Sequence, residues 1–317
     1  MKKNEKNLMN GLLSGDRVCL SRLISIVESD PSAISRISRS IKEVPNHAYR
    51  IGMTGPPGAG KSTLTNKIIA RFREKKLKIG VIAVDPSSPF TGGAVLGDRI
   101  RMQEHTLDNE VFIRSIGSRG DFGGLSNSTS AIIKLFDIFG MDIVIIETVG
   151  VGQTELGIIK ISDCVIVTLV PESGDSIQAM KAGLMEIGDI FIVNKSDRGG
   201  AEKLAREIDY TISLKQTTPK WRTKVLTAQA ENDIGINEIM DEIKSFREFE
   251  ESNGSLLAKR SARKISDLDE LLNRNLKQKL ERIKDMDKVK KAISKLKDGK
   301  LESEDIAELI FDLLKRE

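Results

Sequence analysis

The apolar residues of the chain follow two patterns that alternate along it. Four runs, Lys78–Val84, Asp142–Ile146, Asp163–Val170 and Asp189–Val193, are nearly continuous in Ile and Val. They lack the every-other-residue polarity of a half-exposed strand, so they predict strands covered on both faces. Tyr49–Thr54 reads as a further short strand and Lys224–Thr227 as a weaker one. Between these runs the period lengthens to that of a helix. Leu64, Ile68, Ile69 and Phe72 share one face over Leu64–Lys75, and Asn127–Phe139 and Ser176–Glu186 also read as helical. Such alternation predicts an α/β fold with a doubly wound, mostly parallel sheet.

The two ends of the chain show only the helical pattern. Leu20, Leu23, Ile24 and Val27 form one stripe, Asp30-Pro31 breaks it, and Ile34, Ile37 and Ile41 form a second. Near the other end, Asn253-Gly254 reads as a linker. Ile265, Leu268, Leu272, Leu276, Leu280 and Ile283 then recur at helical spacing among dense charges, and a shorter helix over Ile306–Leu314 follows Asp298-Gly299. A single apolar stripe on a charged helix must be covered, either by its own domain or by another subunit. The expected organisation is a helical segment over 1–48, a central nucleotide-binding domain over 49–250 and a helical segment over 251–317.

Composition narrows the function classes. The 317 residues carry 50 basic and 46 acidic side chains, a net charge of +4, and aromatics make up only 4%. Neither electrostatics nor base stacking argues for a nucleic-acid partner, and charge gives no argument for an anionic membrane. No apolar run approaches a membrane span. The two cysteines, Cys19 and Cys164, make no disulfide framework, and the polar N-terminus has no signal-peptide core, so a cytoplasmic protein is expected.

The chemistry concentrates at strand ends. Gly55–Ser62 matches G-x-x-x-x-G-K-[ST], between a predicted strand and a predicted helix. Gly55, Gly58 and Gly60 let backbone N–H groups approach a phosphate chain, with Ala59 and Thr63 completing the nucleotide loop. Lys61 supplies a positive charge to the β- and γ-phosphates, and Ser62 a hydroxyl to Mg²⁺. The helix N-terminus adds its dipole. Asn194-Lys195-Ser196-Asp197 follows another strand and matches the N-K-x-D guanine signature, in which the Asp197 carboxylate accepts from guanine N1–H and N2–H₂. Asp85 and Glu147 each follow a strand, where ligands bind in such sheets, and with Asp98 they form a candidate acidic cluster near Ser62. Asp98 also suits a helix or turn cap. The Gly150 N–H is a candidate sensor of the γ-phosphate. Arg101, beside Asp98, is either a stabiliser of transferring phosphate charge or a solvated surface residue. His105 stands without a metal-ligand pattern around it.

Taken together, Gly55–Thr63, Asp85-Pro-Ser-Ser-Pro89, Thr91-Gly-Gly93, Leu96-Gly-Asp-Arg99, Arg101-Met102, Glu147-Thr-Val-Gly-Val-Gly-Gln153, Gln178-Ala-Met-Lys-Ala-Gly183 and Asn194–Asp197 resemble the MeaB/ArgK family of P-loop GTPases associated with methylmalonyl-CoA mutase. The resemblance implies GTP/GDP and Mg²⁺ as ligands, with Asp85, Asp98 and Glu147 organising the metal and the switches. It implies a homodimer to which the C-terminal helices contribute. It also implies a chaperone that gates cofactor delivery to, and protects, an adenosylcobalamin-dependent acyl-CoA mutase. The base-binding loop of the family reads Ser-Ala, whereas this chain has Gln229-Ala230. Two rivals share the fold class. A metal-insertion GTPase for a nickel enzyme would be expected to carry His or Cys clusters, and a kinase would need a small-molecule or protein acceptor.

Overall fold

The computed structural model describes residues 3–38, 41, 47–85, 103–105, 107–117, 127–148, 154–171, 184–215, 221–299 and 301–316. Three helices come first, α1 (Lys3–Leu13), α2 (Arg17–Ser29) and α3 (Ala33–Ser38). Strand β1 (Tyr49–Thr54) leads into α4 (Lys61–Glu74), and β2 (Ile79–Asp85) and β3 (Val111–Gly117) follow. Then come α5 (Asn127–Phe139), β4 (Ile143–Thr148), α6 (Thr154–Ile161), β5 (Cys164–Leu169) and β6 (Ile190–Val193). The described chain continues through α7 (Ala201–Lys215), β7 (Lys224–Thr227), α8 (Ile236–Ser252), α9 (Ser255–Lys284), α10 (Asp287–Lys297) and α11 (Ser303–Arg316).

The seven strands form one sheet in the order β3-β2-β4-β1-β5-β6-β7, and every neighbouring pair is parallel. The continuous apolar runs are explained by what lies on each side. Alternate residues of a strand face opposite ways. Ile51, Met53, Ile79, Val81, Ile143, Ile145, Ile166 and Ile192 pack with Leu64, Ile68 and Ile69 of α4 and Ile239, Ile243 and Phe246 of α8. Ile82, Val84, Val144 and Ile146 face the other way, into a cluster with α5 and the N-terminal helices. Val165, Val167, Phe191 and Val193 do the same with Leu204, Ile208 and Ile212 of α7.

The N-terminal helices cover the β3 end of the sheet. Asp16 caps α2, accepting from Val18 N at 2.7 Å and Cys19 N at 3.2 Å. Arg17 donates to the carbonyls of Asn109 and, at 2.9 Å, Val111, and stacks over Phe112. Arg114 pairs with Glu28 of α2. Strand β3 is absent from the expectations above: Arg114 and Ser115 interrupt its apolar run, as suits an edge strand that needs less cover. The expected helix over Ser176–Glu186 lies largely outside the described residues; Leu184–Ile187 is helical.

The chain divides into two compact units, residues 1–256 and 257–317, and the division falls within α9. In the smaller unit Ile283, Val289, Ala292 and Ile306 are buried, while Ile265, Leu268, Leu272 and Leu276 of α9 are about half exposed or more. Among the described residues, no helix is long and apolar enough to cross a membrane.

Candidate functional site

The site lies along the carboxyl edge of the parallel sheet, where strand ends hand over to helices. Strand β1 ends at Thr54, and the next six residues turn the chain into α4. Gly55 has φ 136°, and a Cβ there would stand 1.9 Å from the Thr168 carbonyl oxygen. Gly60, the N-cap of α4, has φ 82°, and a Cβ there would meet the Asn194 side-chain nitrogen at 2.3 Å. Both positions therefore require glycine for conformation and for room. Gly58 also has positive φ but borders open space, as a loop that receives a ligand should. No side chain caps the α4 N-terminus, so its first N–H groups and the dipole remain available to an anion.

Lys61 and Ser62 begin α4 and are both buried. Lys61 Nζ donates to the Gly55 carbonyl at 2.7 Å and to the Pro56 carbonyl at 2.9 Å, which folds the ammonium across the loop. Ser62 Oγ donates to Glu147 Oε1 at 2.5 Å. Glu147 is the penultimate residue of β4, buried, and in register with Ala83 of β2, two residues before Asp85. Asp85 ends β2 on the same sheet edge. The structure thus brings Ser62 and Glu147 together across 85 residues of sequence. Asp98, Arg101 and Gly150 lie outside the described residues, as does the side chain of Asp85.

A second half of the site forms at the ends of β6 and β7. Asn194 is buried; its Nδ2 donates to the Ala59 carbonyl at 2.9 Å, and its Oδ1 accepts from Ala230 N at 3.1 Å. One amide thereby joins the phosphate loop to the turn after β7. Lys195 adopts left-handed backbone (φ 57°), and Ser196 N donates to the Ala228 carbonyl at 3.0 Å, which seats the tetrad against the same turn. The result is an open, polar pocket whose lining includes Thr63, Asn194, Lys195, Asp197, Gln229 and Ala230. Gln229 Oε1 accepts from Asn232 Nδ2 at 3.0 Å. Asn232, Glu231 and Arg198 also line this pocket and carry no motif of their own. The nearest hint in the sequence is the Asp233-Ile-Gly235 stretch, which marks a turn beside Gln229.

The residues present fit a nucleoside polyphosphate with a hard divalent cation. The glycine cradle matches a phosphate chain, and a hydroxyl with a carboxylate is an oxygen donor set of the kind Mg²⁺ takes. Among the described residues, no group of three or more His, Cys, Asp or Glu side chains is placed to hold a metal ion.

A parallel sheet with a glycine loop at a strand-to-helix turn and a polar pocket lined by the Asn194–Asp197 tetrad beside it defines a P-loop nucleotide-binding protein of the GTPase class. The sequence profile of the family described as "Methylmalonyl Co-A mutase-associated GTPase MeaB" matches residues 20–285, and the chain belongs to that family. A Pyrococcus abyssi protein named as a GTPase is 48% identical over 259 residues, which span 81% of this chain and 80% of that one. The Escherichia coli GTPase ArgK is 36% identical over 253 residues, 77% of this chain and 76% of its own length. The mouse mitochondrial methylmalonic aciduria type A homolog is 35% identical over 272 residues, 80% of this chain and 65% of its own. A crystal structure titled as an LAO/AO transport system kinase shares the fold, with a TM-score of 0.71 at 24% identity over 99% of both chains.

Proposed function

We propose that this GTPase is a Mg²⁺-dependent chaperone of an adenosylcobalamin-dependent acyl-CoA mutase, coupling GTP hydrolysis to cofactor loading and protection. The observation that carries this reading is the joining of the two half-sites by Asn194, in a chain whose residues 20–285 match a mutase-associated GTPase family. Contact between phosphate loop and base turn suits a protein that reads a whole guanine nucleotide and reports its state to a partner.

Each residue has a proposed task. Lys61 exchanges the Gly55 and Pro56 carbonyls for the β- and γ-phosphate oxygens. Ser62, Asp85, Asp98 and Glu147 are the proposed residues for Mg²⁺. When bound, the cation supplies neutralisation of charge on the phosphate oxygens. Arg101 stabilises charge on the transferring phosphate, and the Gly150 N–H reads the γ-phosphate. Asp197 accepts from the guanine N1–H and N2–H₂, and Gln229 and Ala230 close the base side. Residues 251–317 serve as the homodimerisation segment, covering the exposed leucines of α9. A segment over 1–48 and a domain over 49–250 complete the proposed organisation, in a cytoplasmic protein.

The test is steady-state turnover of GTP by the full chain, alone, with small-molecule acceptors, and with the host's mutase. Slow hydrolysis that the mutase changes supports the reading. Dependence on a small acceptor, with phosphate recovered on it, would make the protein a kinase.

A further inference from the structure

The turn that forms one wall of the base pocket is tightly built. Gln229 N donates to the Ile234 carbonyl at 3.0 Å, and Ile234 N donates back to the Gln229 carbonyl at 3.2 Å. Between them, Asp233 carries the chain through φ 60°, ψ 25°, a left-handed conformation that favours glycine and that Asp tolerates better than most. Gly235 follows at φ 79°, where a Cβ would stand 2.4 Å from the Thr227 carbonyl oxygen. Besides the Asn194 bond to Ala230 N, the turn has a second fixed point outside it, at Asp233.

That fixed point is Arg71 on α4. Its guanidinium donates to Asp233 Oδ2, to Asn237 Oδ1 in the first turn of α8 at 3.1 Å, and to Glu74 Oε1 at 3.0 Å. One planar fork thus serves three acceptors, which an ammonium on a flexible stem reproduces poorly. Arg71 is not among the pocket's lining residues. It does sit on the helix that starts with Lys61 and Ser62, roughly 15 Å further along a rod of about 1.5 Å per residue. The helix that begins at the phosphate loop therefore ends by gripping the base turn.

We propose that Arg71, through Asp233, is a positioning residue for guanine recognition: it sets the Gln229–Asn232 turn against α4, so that the base wall keeps a fixed distance from the phosphate loop. The role rests on the reading of the pocket as the guanine site.

The experiment uses the full chain and three probes: GDP, inorganic tripolyphosphate with Mg²⁺, and GTP turnover. Arg71→Met keeps the stem and removes the fork. Loss of a charge-assisted pair that only orients the turn should lower GDP affinity about tenfold. Tripolyphosphate affinity should stay unchanged, and KM for GTP should rise at constant kcat. Asp233→Ala should behave in the same way, Asp233→Asn should lose less, and Arg71→Lys should fail to restore binding. If Arg71→Met does not fold, Arg71→Gln carries the same expectations. Wild-type GDP affinity in Arg71→Met, or equal losses for GDP and tripolyphosphate, overturns the role. Asp197→Asn separates the two levels. If it leaves GDP binding intact, the pocket reading fails and the positioning role with it. If it loses GDP while Arg71→Met does not, only the positioning role fails.

Discussion

Asp197 lines a pocket shared with Asn194 and Lys195, its neighbours in sequence. A carboxylate accepts from two adjacent donors, the pattern guanine offers; an amide accepts one bond and donates one, the pattern xanthine needs. Asp197→Asn should therefore weaken GDP binding by about 10–150-fold, the range for a hydrogen bond to a charged group, and strengthen xanthosine diphosphate binding, both read by calorimetry. Unchanged GDP affinity would contradict the role. Glu147→Gln removes a charge from the Ser62–Glu147 pair. It should raise the Mg²⁺ concentration needed for half-maximal turnover while leaving metal-free GDP binding nearly untouched, and an unchanged Mg²⁺ titration would place the metal elsewhere. The glycines, Lys61, Ser62 and the Asn194–Asp197 tetrad were legible in the sequence because backbone geometry fixes their spacing. Asn232 and Arg71 were not, because their places depend on contacts between distant segments. Arg71 and Asp233, for example, are 162 positions apart.

Among the elements, the buried strands were legible, the β7 edge was legible only as a weak candidate, and the β3 edge was not. Strands β4, β5 and β6 are covered on both faces, so their apolar runs are nearly continuous. Strand β3 has one strand neighbour and carries Arg114, whose charge is met by Glu28 from α2 rather than by solvent. Helices α7 and α8 were equally hard to single out, since their apolar residues are diluted by charges on the exposed face. The turn before β3 is braced against α4 by a different pair. Arg73 Nε donates to Asp108 Oδ2 at 2.8 Å, and this bond, with the Glu110 N–H, holds the Asp108 carboxyl below its ordinary value of 3.8. A carboxyl lowered in the folded state contributes stability above its unfolded value and loses it as pH falls through the folded one. The contribution of this pair should thus be complete at neutral pH, begin to fall once the pH drops below the ordinary carboxyl value of 3.8, and be lost as the pH passes through the lower folded value. Arg73→Met should cost more stability at pH 7 than at pH 3, measured by denaturant unfolding at both. An equal cost at both would mean that Arg73 acts only through packing and its 2.7 Å bond to the Leu77 carbonyl.

At the scale of the whole molecule, the apolar stripe of α9 asked for a cover, and the sequence left open whether that cover was its own domain or another subunit. The fold answers for one end of the stripe: Ile283 is fully buried in the smaller unit, while Leu268, Leu272 and Leu276 stay about half exposed. Burying a leucine fully is worth about 1.5–3 kcal/mol, so a second copy placed over this stripe would gain appreciably. Leu272→Asp with Leu276→Asp in the full chain should give a monomer by light scattering with unchanged GDP affinity; a persistent dimer would put the interface elsewhere. The remaining question is what the nucleotide state controls. A switch that couples GTP to a partner shifts a pre-existing equilibrium, and typical couplings change partner affinity by about 5–150-fold. Linkage requires the partner to change nucleotide affinity by the same factor. The most direct measurement is calorimetric titration of the host's adenosylcobalamin-dependent mutase, in apo and holo forms, into the protein loaded with GDP or with a non-hydrolysable GTP analogue. The predicted result is binding whose affinity differs between the two nucleotide states within that range. Absence of binding in every combination would contradict the chaperone role, and equal affinity in both states would contradict the switch.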